Sequence, residues 1–291
     1  MKISCDNAKE ILLRAGLDIR SAERPSSGFA SAVFFCNIGG RQAYVTLLSS
    51  ERFQVLLYLH QRLGKNCFVP IASIEDHGYD KQTDNFYLVQ TPIAGLNLKE
   101  ILYTDDLLRE AGELLRKVHS VILPGYGQLV CNGTGDVQGK YDTWGDFLDI
   151  QVSTEKISYL SAHGILLEDH CRIVRNTCEE LSESASAPGS LLHNDYHKGH
   201  IYSDGKVISG IIDWGAAIIG VAEYDLAISA HFMGSNFPKL LKGYGPDVNL
   251  EYVQKYQIVV AVHKMFWAHT RQHSRIEKKR NVLDAALIQA V

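Results

Sequence analysis

The sequence predicts an α+β fold made of two lobes: a small N-lobe with an antiparallel sheet plus a helix, and a larger, mainly helical C-lobe. Three observations support this fold class. Paired runs of β-branched and aromatic residues around turn residues fill much of the first third of the chain. From about Gly95 onward, apolar residues recur mainly at helical spacing. Within that helical part, short apolar runs at 189–193 and 206–214 enclose a loop rich in histidine and aspartate.

The N-lobe is predicted over residues 1–93. Residues 31–48 contain two strand-like runs around Gly39-Gly40, a dipeptide typical of hairpin turns. Residues 50–64 place apolar side chains at helical spacing, and Gly64 is a suitable end for that helix. Residues 71–91 favour two further strands around a polar turn.

The C-lobe is predicted over residues 94–291. Residues 105–120 and 251–270 have the apolar pattern of long helices. Residues 181–190 form a stretch of small residues that we interpret as a linker to the histidine-rich loop. The lobes are expected to join near 91–95, and a cleft between two lobes is a common place for a ligand.

The composition describes an ordinary soluble globular protein, since 46% of the 291 residues are hydrophobic and 21% are charged. The net charge of -4 argues against nucleic-acid and anionic-membrane partners. Six scattered cysteines without a C-x-x-C pair favour reduced thiols and a cytoplasmic location. We see no apolar leader segment and no run long enough to span a bilayer, so we expect neither a signal peptide nor a membrane partner.

The loop "HNDYHKGH" at 193–200 has three interpretations. Its histidines could be hydrogen-bonded structural residues. His193, His197 and His200 could instead hold zinc, although glycine and a nearby turn make this segment a loop rather than the regular backbone that zinc sites prefer. The third interpretation relies on the aspartates.

Two aspartates follow predicted strands on either side of a Ser-Asp-Gly turn at 203–205. Asp195 comes after the run that ends at Leu192, and Asp213 ends the run "SGIID". Carboxylates at adjacent strand ends can face one space. Phosphoryl transfer needs such a pair, because one carboxylate accepts the proton of the attacking hydroxyl and the other holds magnesium.

These residues resemble the signature of the aminoglycoside phosphotransferase family. The loop at 193–200, followed by "DWG" at 213–215, is similar to the family's H-x-D, four residues, N pattern and its later D-[FW]-[EG] element. Weaker similarities extend in the same order along most of the chain. They are "SSGFASAVFF" (26–35), "YLVQTPIAG" (87–95), "RKVHS" (116–120) and "EYDLA" (223–227).

The resemblance implies a protein-kinase-like bilobal fold that uses Mg2+ with ATP or GTP as cosubstrate. It implies that Asp195 is the catalytic base and that Asp213 holds the metal. His193 would brace the loop, and Asp225 would support it. The alternative for Asp225 is a favourable charge at a helix N-terminus.

The resemblance also implies a nucleotide site. Thr91 and Ile93 would offer a backbone carbonyl and amide to the base. Ser27 and Gly28 would approach the phosphates through backbone N–H groups, which glycine permits because it lacks a side chain.

Two departures from the family pattern matter. His200 stands where the family usually has asparagine, and we place it in the catalytic and metal set although imidazole is a less natural magnesium ligand. In having a histidine at this position, the loop is similar to those of the 2″-aminoglycoside and macrolide phosphotransferases. The family's phosphate-binding lysine is missing, since its expected place falls near Thr46. Arg41 is a possible substitute, whereas Glu51 fits a helix-terminal charge better than a lysine partner.

The function expected from this resemblance is a kinase that transfers the γ-phosphate of ATP or GTP to a hydroxyl of a small molecule, an aminoglycoside or another antibiotic. A metabolite kinase of the same superfamily and a catalytically impaired relative that binds a nucleotide or a small molecule are the alternatives. An aminoglycoside would require pocket carboxylates, for which the candidates are Asp142, Asp146, Asp149 and Glu155. An apolar substrate would require aromatic residues, for which the candidates are Trp144, Phe147, Phe232 and Trp267.

Overall fold

The structure, a computed structural model, describes residues 4–25, 32–66, 68–132, 135–183, 188–271 and 276–288. The described residues fall into two compact units. The first is drawn from 1–102, 130–137 and 199–215, and the second from 103–129, 138–198 and 216–291. None of the described helices is long and apolar enough to cross a membrane.

The first unit is built on an antiparallel sheet, as predicted, and this sheet has five strands, one more than the sequence indicated. Its strands are β1 (Ile19–Glu23), β2 (Ala32–Ile38), β3 (Arg41–Leu48), β4 (Ile74–Asp80) and β5 (Asn85–Gln90), in the order β1-β2-β3-β5-β4. Helix α2 (Ser50–His60) continues as a π-helical segment, Gln61–Asn66. This helix was predicted, but the sequence analysis missed a second one, α1 (Cys5–Arg14), which precedes the sheet and is capped by the Ser4 side chain.

The period-2 alternation of β3 places its side chains on two faces. Ala43, Val45 and Leu47 are buried in a cluster that includes residues of α1. Leu48 lies on the opposite face, where it packs with Phe53 of α2. Arg14 attaches the end of α1 to β4 by a paired contact with Asp80, with 2.8 Å between Arg14 Nη2 and Asp80 Oδ2.

A small sheet completes the first unit. Strands β6 (Leu96–Asn97), β11 (Ile201–Ser203) and β12 (Ile208–Ile211) pair in the order β12-β11-β6. The Ile211 N–H also donates to the Pro70 carbonyl at 2.8 Å. The hairpin of β11 and β12 thus belongs with the sheet-bearing unit, and the lobe boundary between residues 93 and 94 stays a prediction.

The second unit is mainly helical, as predicted, around a second five-stranded sheet in the order β7-β10-β13-β8-β9. Its strands are β7 (Ile122–Leu123), β8 (Tyr126–Cys131), β9 (Val137–Tyr141), β10 (Gly189–Leu192) and β13 (Ile218–Gly220). Its helices are α3 (Asp105–His119), α4 (Trp144–Gln151), α5 (Thr154–Ala162), α6 (Glu168–Glu183), α7 (Ala222–Met233), α8 (Phe237–Tyr244), α9 (Leu250–Arg271) and α10 (Ile276–Ile288).

The predicted linker at 181–190 is shorter in the structure. Helix α6 continues to Glu183, because Leu181 is a fully buried apolar position on its inner face. Strand β10 then begins at Gly189 and pairs with β7 and β13. The histidine-rich loop therefore starts from a central strand, which fixes the position of its first residues.

Candidate active site

In the second unit, Asp225 on α7 holds the beginning of the loop that carries Asp195. Its carboxylate accepts hydrogen bonds from the backbone N–H of His193 at 2.7 Å and of Asn194 at 2.9 Å. His119, at the end of α3, lies 3.1 Å away through Nε2. Asp225 is fully buried. A buried carboxylate with three such contacts supports the loop, the role that the resemblance implied for it.

Asn194 has a backbone conformation that few residues adopt, with φ of +63°. Asparagine tolerates this left-handed region better than most side chains do. The Asn194 side chain reinforces the turn by donating to the Ala216 carbonyl at 2.9 Å. The result is a sharp turn that comes immediately before Asp195.

His193 belongs to the scaffold of the loop. Its side chain is fully buried and contacts the edge of the Tyr196 ring, with 5.6 Å between ring centres. Tyr196 in turn donates from its hydroxyl to the Ala111 carbonyl at 2.7 Å. This burial fits the predicted bracing role, and it does not favour His193 as a zinc ligand, because the imidazole is packed into the core.

Asp195 is partly exposed, whereas the next residue, Tyr196, is fully buried. The Asp195 side chain is 27% exposed, and its Oδ2 lies 3.8 Å from Nε2 of His197. His197 also contacts the ring of Phe232 on α7, with 5.0 Å between ring centres. The structure thus places a partly exposed carboxylate on the loop held by Asp225, with an imidazole and an aromatic ring beside it.

The first unit holds Asp213, the predicted metal ligand. It follows β12 and, like Asn194, has a positive φ, here +64°. Its Oδ2 lies 3.6 Å from Nε2 of His200, so the structure brings the predicted metal pair together. The Asp213 side chain is 55% exposed. Strained backbone at an accessible carboxylate is a feature that clusters at functional sites.

The predicted base-binding segment at 91–95 is also part of the first unit. The Thr91 N–H donates to the Ser73 carbonyl at 2.9 Å, and this bond does not involve the Thr91 carbonyl, which is the group in the predicted role. The Ile93 side chain packs directly on Gly210 of β12, because a Cβ added at Gly210 would lie only 2.3 Å from Ile93 Cδ1. Ser209 Oγ fixes the segment further by donating to the Ala94 carbonyl at 2.5 Å.

The predicted phosphate-binding residues Ser27 and Gly28 lie outside the described residues. The described residues do include Thr46, near which the family's phosphate-binding lysine was expected. Thr46 is 7% exposed, on the face of β3 opposite to the α1 cluster.

Arg41 begins β3, five residues or about 17 Å along the strand from Thr46. Its side chain is 79% exposed and lies 3.8 Å from Glu75. Arg41 therefore does not take the place of the lysine at Thr46. Glu51 is an exposed charge in the first turn of α2, as expected from its position.

Four of the eight predicted pocket candidates have structural roles. Asp146 forms a capping box with Thr143 at the start of α4, and Glu155 lies in the first turn of α5. Trp144 and Phe147 are buried core residues whose rings stack at 4.8 Å. Phe232, by contrast, is partly exposed beside His197.

Two lysines near Phe232 were not found from the sequence. Lys264 Nζ lies 5.3 Å, and Lys279 Nζ 5.2 Å, from the centre of the Phe232 ring. They are 67 and 82 residues beyond His197 on α9 and α10. No local motif marks them, so only the packing of these helices could place them near the loop.

Comparison with known proteins supports the predicted kinase-like fold. Residues 21–256 match the family described as Phosphotransferase enzyme family. Hygromycin-B 4-O-kinase of Escherichia coli is 22% identical to this chain over 240 residues, or 78% of this chain. The match spans 66% of that relative, slightly less than two thirds of its length.

Solved structures have the same fold. The apo structure of a thermostable mutant of aminoglycoside phosphotransferase APH(4)-Ia gives a TM-score of 0.72 at 16% identity, covering 97% of this chain and 99% of that one. A GDP complex of an aminoglycoside 2'-phosphotransferase-IIIa mutant gives 0.69 at 15% identity, with 98% of each chain covered. A putative fructosamine-3-kinase from Thermobifida fusca gives 0.65 at 15% identity, covering 97% and 99%. The predicted kinase-like fold is therefore confirmed.

Proposed function

We propose, on the premise that this chain belongs to the phosphotransferase enzyme family, that it transfers the γ-phosphate of ATP or GTP to a hydroxyl of a small polar molecule. The observation that carries this proposal is the support of the Asp195 loop by buried Asp225. A carboxylate that is partly exposed on a rigid, strained loop is suited to receive a proton from a bound hydroxyl.

In the proposed reaction, Asp195 accepts the proton of the acceptor hydroxyl. The hydroxyl oxygen then forms a bond to the γ-phosphorus, the bond from that phosphorus to the β,γ-bridging oxygen breaks, and ADP or GDP leaves. Asp195 orients the hydroxyl and holds its proton until the products leave. Because this chemistry depends mostly on position and charge, a loop fixed by hydrogen bonds matters more than a strongly basic side chain.

Asp213 is the residue proposed to hold Mg2+, and its exposed carboxylate oxygens fit that ion. His200 lies within reach of the same carboxylate, but its imidazole fits magnesium less well, so we assign it to orienting Asp213 or to a contact through water. When bound, magnesium neutralises charge on the transferred phosphate.

Thr91 and Ile93 are proposed to bind the nucleotide base, and Ser27 and Gly28 its phosphates. The choice of nucleotide stays open between ATP and GTP. One structural relative has been solved with AMP-PNP and hygromycin B, and another with GDP. The unpaired thiols of the five described cysteines (Cys5, Cys36, Cys131, Cys171 and Cys178) agree with the proposed cytoplasmic location.

Two classes of acceptor are supported. Similarity to hygromycin-B 4-O-kinase supports an aminoglycoside, the antibiotic class expected from the loop sequence. Similarity to putative fructosamine-3-kinases supports the alternative of a metabolite kinase. The capping roles of Asp146 and the helix-terminal position of Glu155 remove two of the carboxylates that would have favoured a polycationic substrate.

Thermal denaturation with Mg2+ and either nucleotide tests the proposal first. Nucleotide at 100 times its dissociation constant should stabilise the fold by about 2.7 kcal/mol. The shift should depend on magnesium and disappear in Asp213→Ala, and ADP or GDP should then form in the presence of an acceptor. Absence of any shift with both nucleotides would favour an impaired relative that binds only a small molecule, since Thr46 stands in place of the phosphate-binding lysine.

A further inference from the structure

His60, the last residue of α2, has a fixed hydrogen-bonding state in the first unit. Its Nδ1 lies 2.9 Å from the Ala72 carbonyl oxygen. Because a carbonyl oxygen only accepts hydrogen bonds, Nδ1 carries the proton and Nε2 has a lone pair. Burial lowers the pKa of His60, so the imidazole stays neutral at pH 7 and its Nε2 remains an acceptor.

This acceptor determines the orientation of the Gln90 amide at the end of β5. Nε2 of Gln90 lies 3.0 Å from Nε2 of His60 and is the donor, since that imidazole nitrogen has no hydrogen. The amide oxygen Oε1 is therefore directed away from His60. Oε1 accepts no hydrogen bond from the residues that the structure describes, and it is not sealed from solvent. Gln90 thus presents an oriented acceptor that a ligand can reach.

Two aromatic rings lie on the same face of the sheet as Gln90. Tyr44 of β3 is the cross-strand partner of Gln90, and Phe35 of β2 is the partner of Tyr44. Such partners have Cβ atoms about 5 Å apart. The two ring centres are 5.2 Å apart, and both side chains are partly exposed. Thr46, two residues along β3, shares this face, which is therefore the one where the phosphate-binding lysine was expected.

An aromatic surface beside an oriented amide suits a purine base. Aromatic rings stack on the faces of bases, and the residue after Gln90 is Thr91, whose carbonyl is proposed to bind the base edge. Adenine has an exocyclic amine with two hydrogens where guanine has a carbonyl oxygen. One amine hydrogen can bond to the Thr91 carbonyl and the other to Gln90 Oε1. The guanine oxygen would face two acceptors and would form neither bond.

We propose that Gln90, oriented by His60, selects adenine, so that ATP rather than GTP is the phosphate donor. This inference rests on the proposed function, since it names the cosubstrate of the same site. Gln90 is then the residue that reads the base. His60 is a positioning residue, because it acts only through the Gln90 amide.

Four purine nucleotides that differ in their base edge test the proposal with the full-length protein. ATP has the amine at position 6, purine riboside triphosphate has only hydrogen there, and ITP has the carbonyl oxygen. GTP has that oxygen and an amine at position 2. Binding of each is measured by calorimetry with Mg2+. We expect ATP to bind at least about tenfold tighter than ITP and GTP.

Two variants separate the reading residue from the positioning residue. Gln90→Leu should lower the affinity for ATP to that for purine riboside triphosphate. His60→Leu lets the amide rotate and offer its NH2 group to a carbonyl oxygen, so ITP and GTP should gain affinity relative to ATP. A residue with a merely structural role would not produce that gain. Gln54→Leu and His77→Leu, at exposed positions of the same unit, are the matched controls and should keep the wild-type preference. Ratios of affinities are compared within each variant, and melting temperatures report on folding.

Equal binding of ATP and ITP, or tighter binding of GTP, would overturn the inference and leave the proposed kinase activity standing. An unchanged preference in Gln90→Leu would overturn it too, because another group would then read the base. An unchanged preference in His60→Leu would remove His60 from the positioning role. Binding of none of the four nucleotides would overturn this inference and the proposed function together.

Discussion

His119 and Asp225 share a buried hydrogen bond, with 3.1 Å between His119 Nε2 and Asp225 Oδ2. Nδ1 of His119 lies 2.9 Å from the Tyr244 hydroxyl, so the contact continues from α3 to α8. The same Asp225 oxygen accepts from the N–H of His193. A chain of buried polar contacts thus connects the helices of the second unit to the loop that carries Asp195, and buried networks of this kind are costly to break.

Asp225→Asn should lower both stability and turnover. One amide NH2 would replace a carboxylate oxygen that now accepts, leaving a buried N–H of His193 or Asn194 without its acceptor at a cost of about 1–3 kcal/mol. Urea denaturation and steady-state kinetics measure the two effects. Asp247→Asn, which alters an exposed partner of Arg116, is the control and should change stability by less than about 1 kcal/mol. An Asp225→Asn protein with wild-type kinetics would mean that the network does not control the loop.

Asp195→Asn should reduce turnover by about 10²–10⁴-fold while nucleotide affinity stays close to wild type. The amide keeps the shape of the side chain but cannot accept the proton of the hydroxyl. A coupled ADP-release assay measures turnover, and the nucleotide-induced shift in melting temperature measures affinity. Unchanged turnover would remove Asp195 from the role of base.

His200→Asn should retain measurable activity, because an amide oxygen is a more suitable magnesium ligand than imidazole. The Mg2+ concentration that gives half-maximal turnover should fall or stay the same. A magnesium titration at saturating nucleotide measures it. Complete inactivity of a folded His200→Asn protein would show that the imidazole beside Asp213 has an individual role.

The contact of Arg14 with Asp80 should make the first unit sensitive to acid. The Arg14 guanidinium, together with Thr83, lowers the pKa of Asp80 from 3.8 to about 2. A carboxylate with a lowered folded-state pKa stabilises the fold above its unfolded pKa, and the effect is lost as the pH falls toward 2.

The free energy of unfolding of wild type should therefore exceed that of Asp80→Asn by roughly 1 kcal/mol at pH 6, after allowance for solvent screening. The difference should decrease between pH 4 and 2. Glu10→Gln removes a more distant acid, 3.8 Å from Arg14, and serves as the control with little effect. A difference that is independent of pH would contradict the assignment to an ion pair.

Gly95→Ala should destabilise the protein strongly. Gly95 has φ of +83°, and a Cβ there would lie 2.0 Å from the Ser203 carbonyl oxygen. Gly16→Ala is the control for backbone strain alone, since Gly16 has φ of +82° with nothing within 4 Å of its added Cβ. The difference between the two variants then measures the clash at Gly95. We expect the free energy of unfolding to fall by about 1 kcal/mol in the control and by about 3 kcal/mol or more in Gly95→Ala. Equal losses in urea denaturation would show that the backbone conformation alone limits both sites.

Local patterns predicted much of the architecture. The glycine turn at 39–40 and the β-branched runs around it gave the hairpin of β2 and β3. The apolar face of α3 was visible in the sequence because its buried residues recur at helical spacing. Helix α1 was missed, since only Ala8, Ile11 and Leu12 of its ten residues are buried.

For the candidate site too, some features were predicted from the sequence and others came only from the structure. The loop at 193–200 and Asp213 were found because neighbouring residues carry the motif, and their catalytic roles remain predictions. The role of exposed Asp146 in a capping box and the burial of Trp144 in the core became visible only in the structure, because a residue type by itself does not distinguish a pocket residue from a cap or a core residue.

The sequence by itself determined the family, the kinase-like fold and the residues proposed for the chemistry, because each is set by residues that are close along the chain. Only the tertiary structure decided what surrounds them. It showed that Arg41 pairs with Glu75 and does not replace the lysine at Thr46. It also brought Lys264 and Lys279 to the ring of Phe232. Helix packing sets such contacts, and the residues that make them are dozens of positions apart.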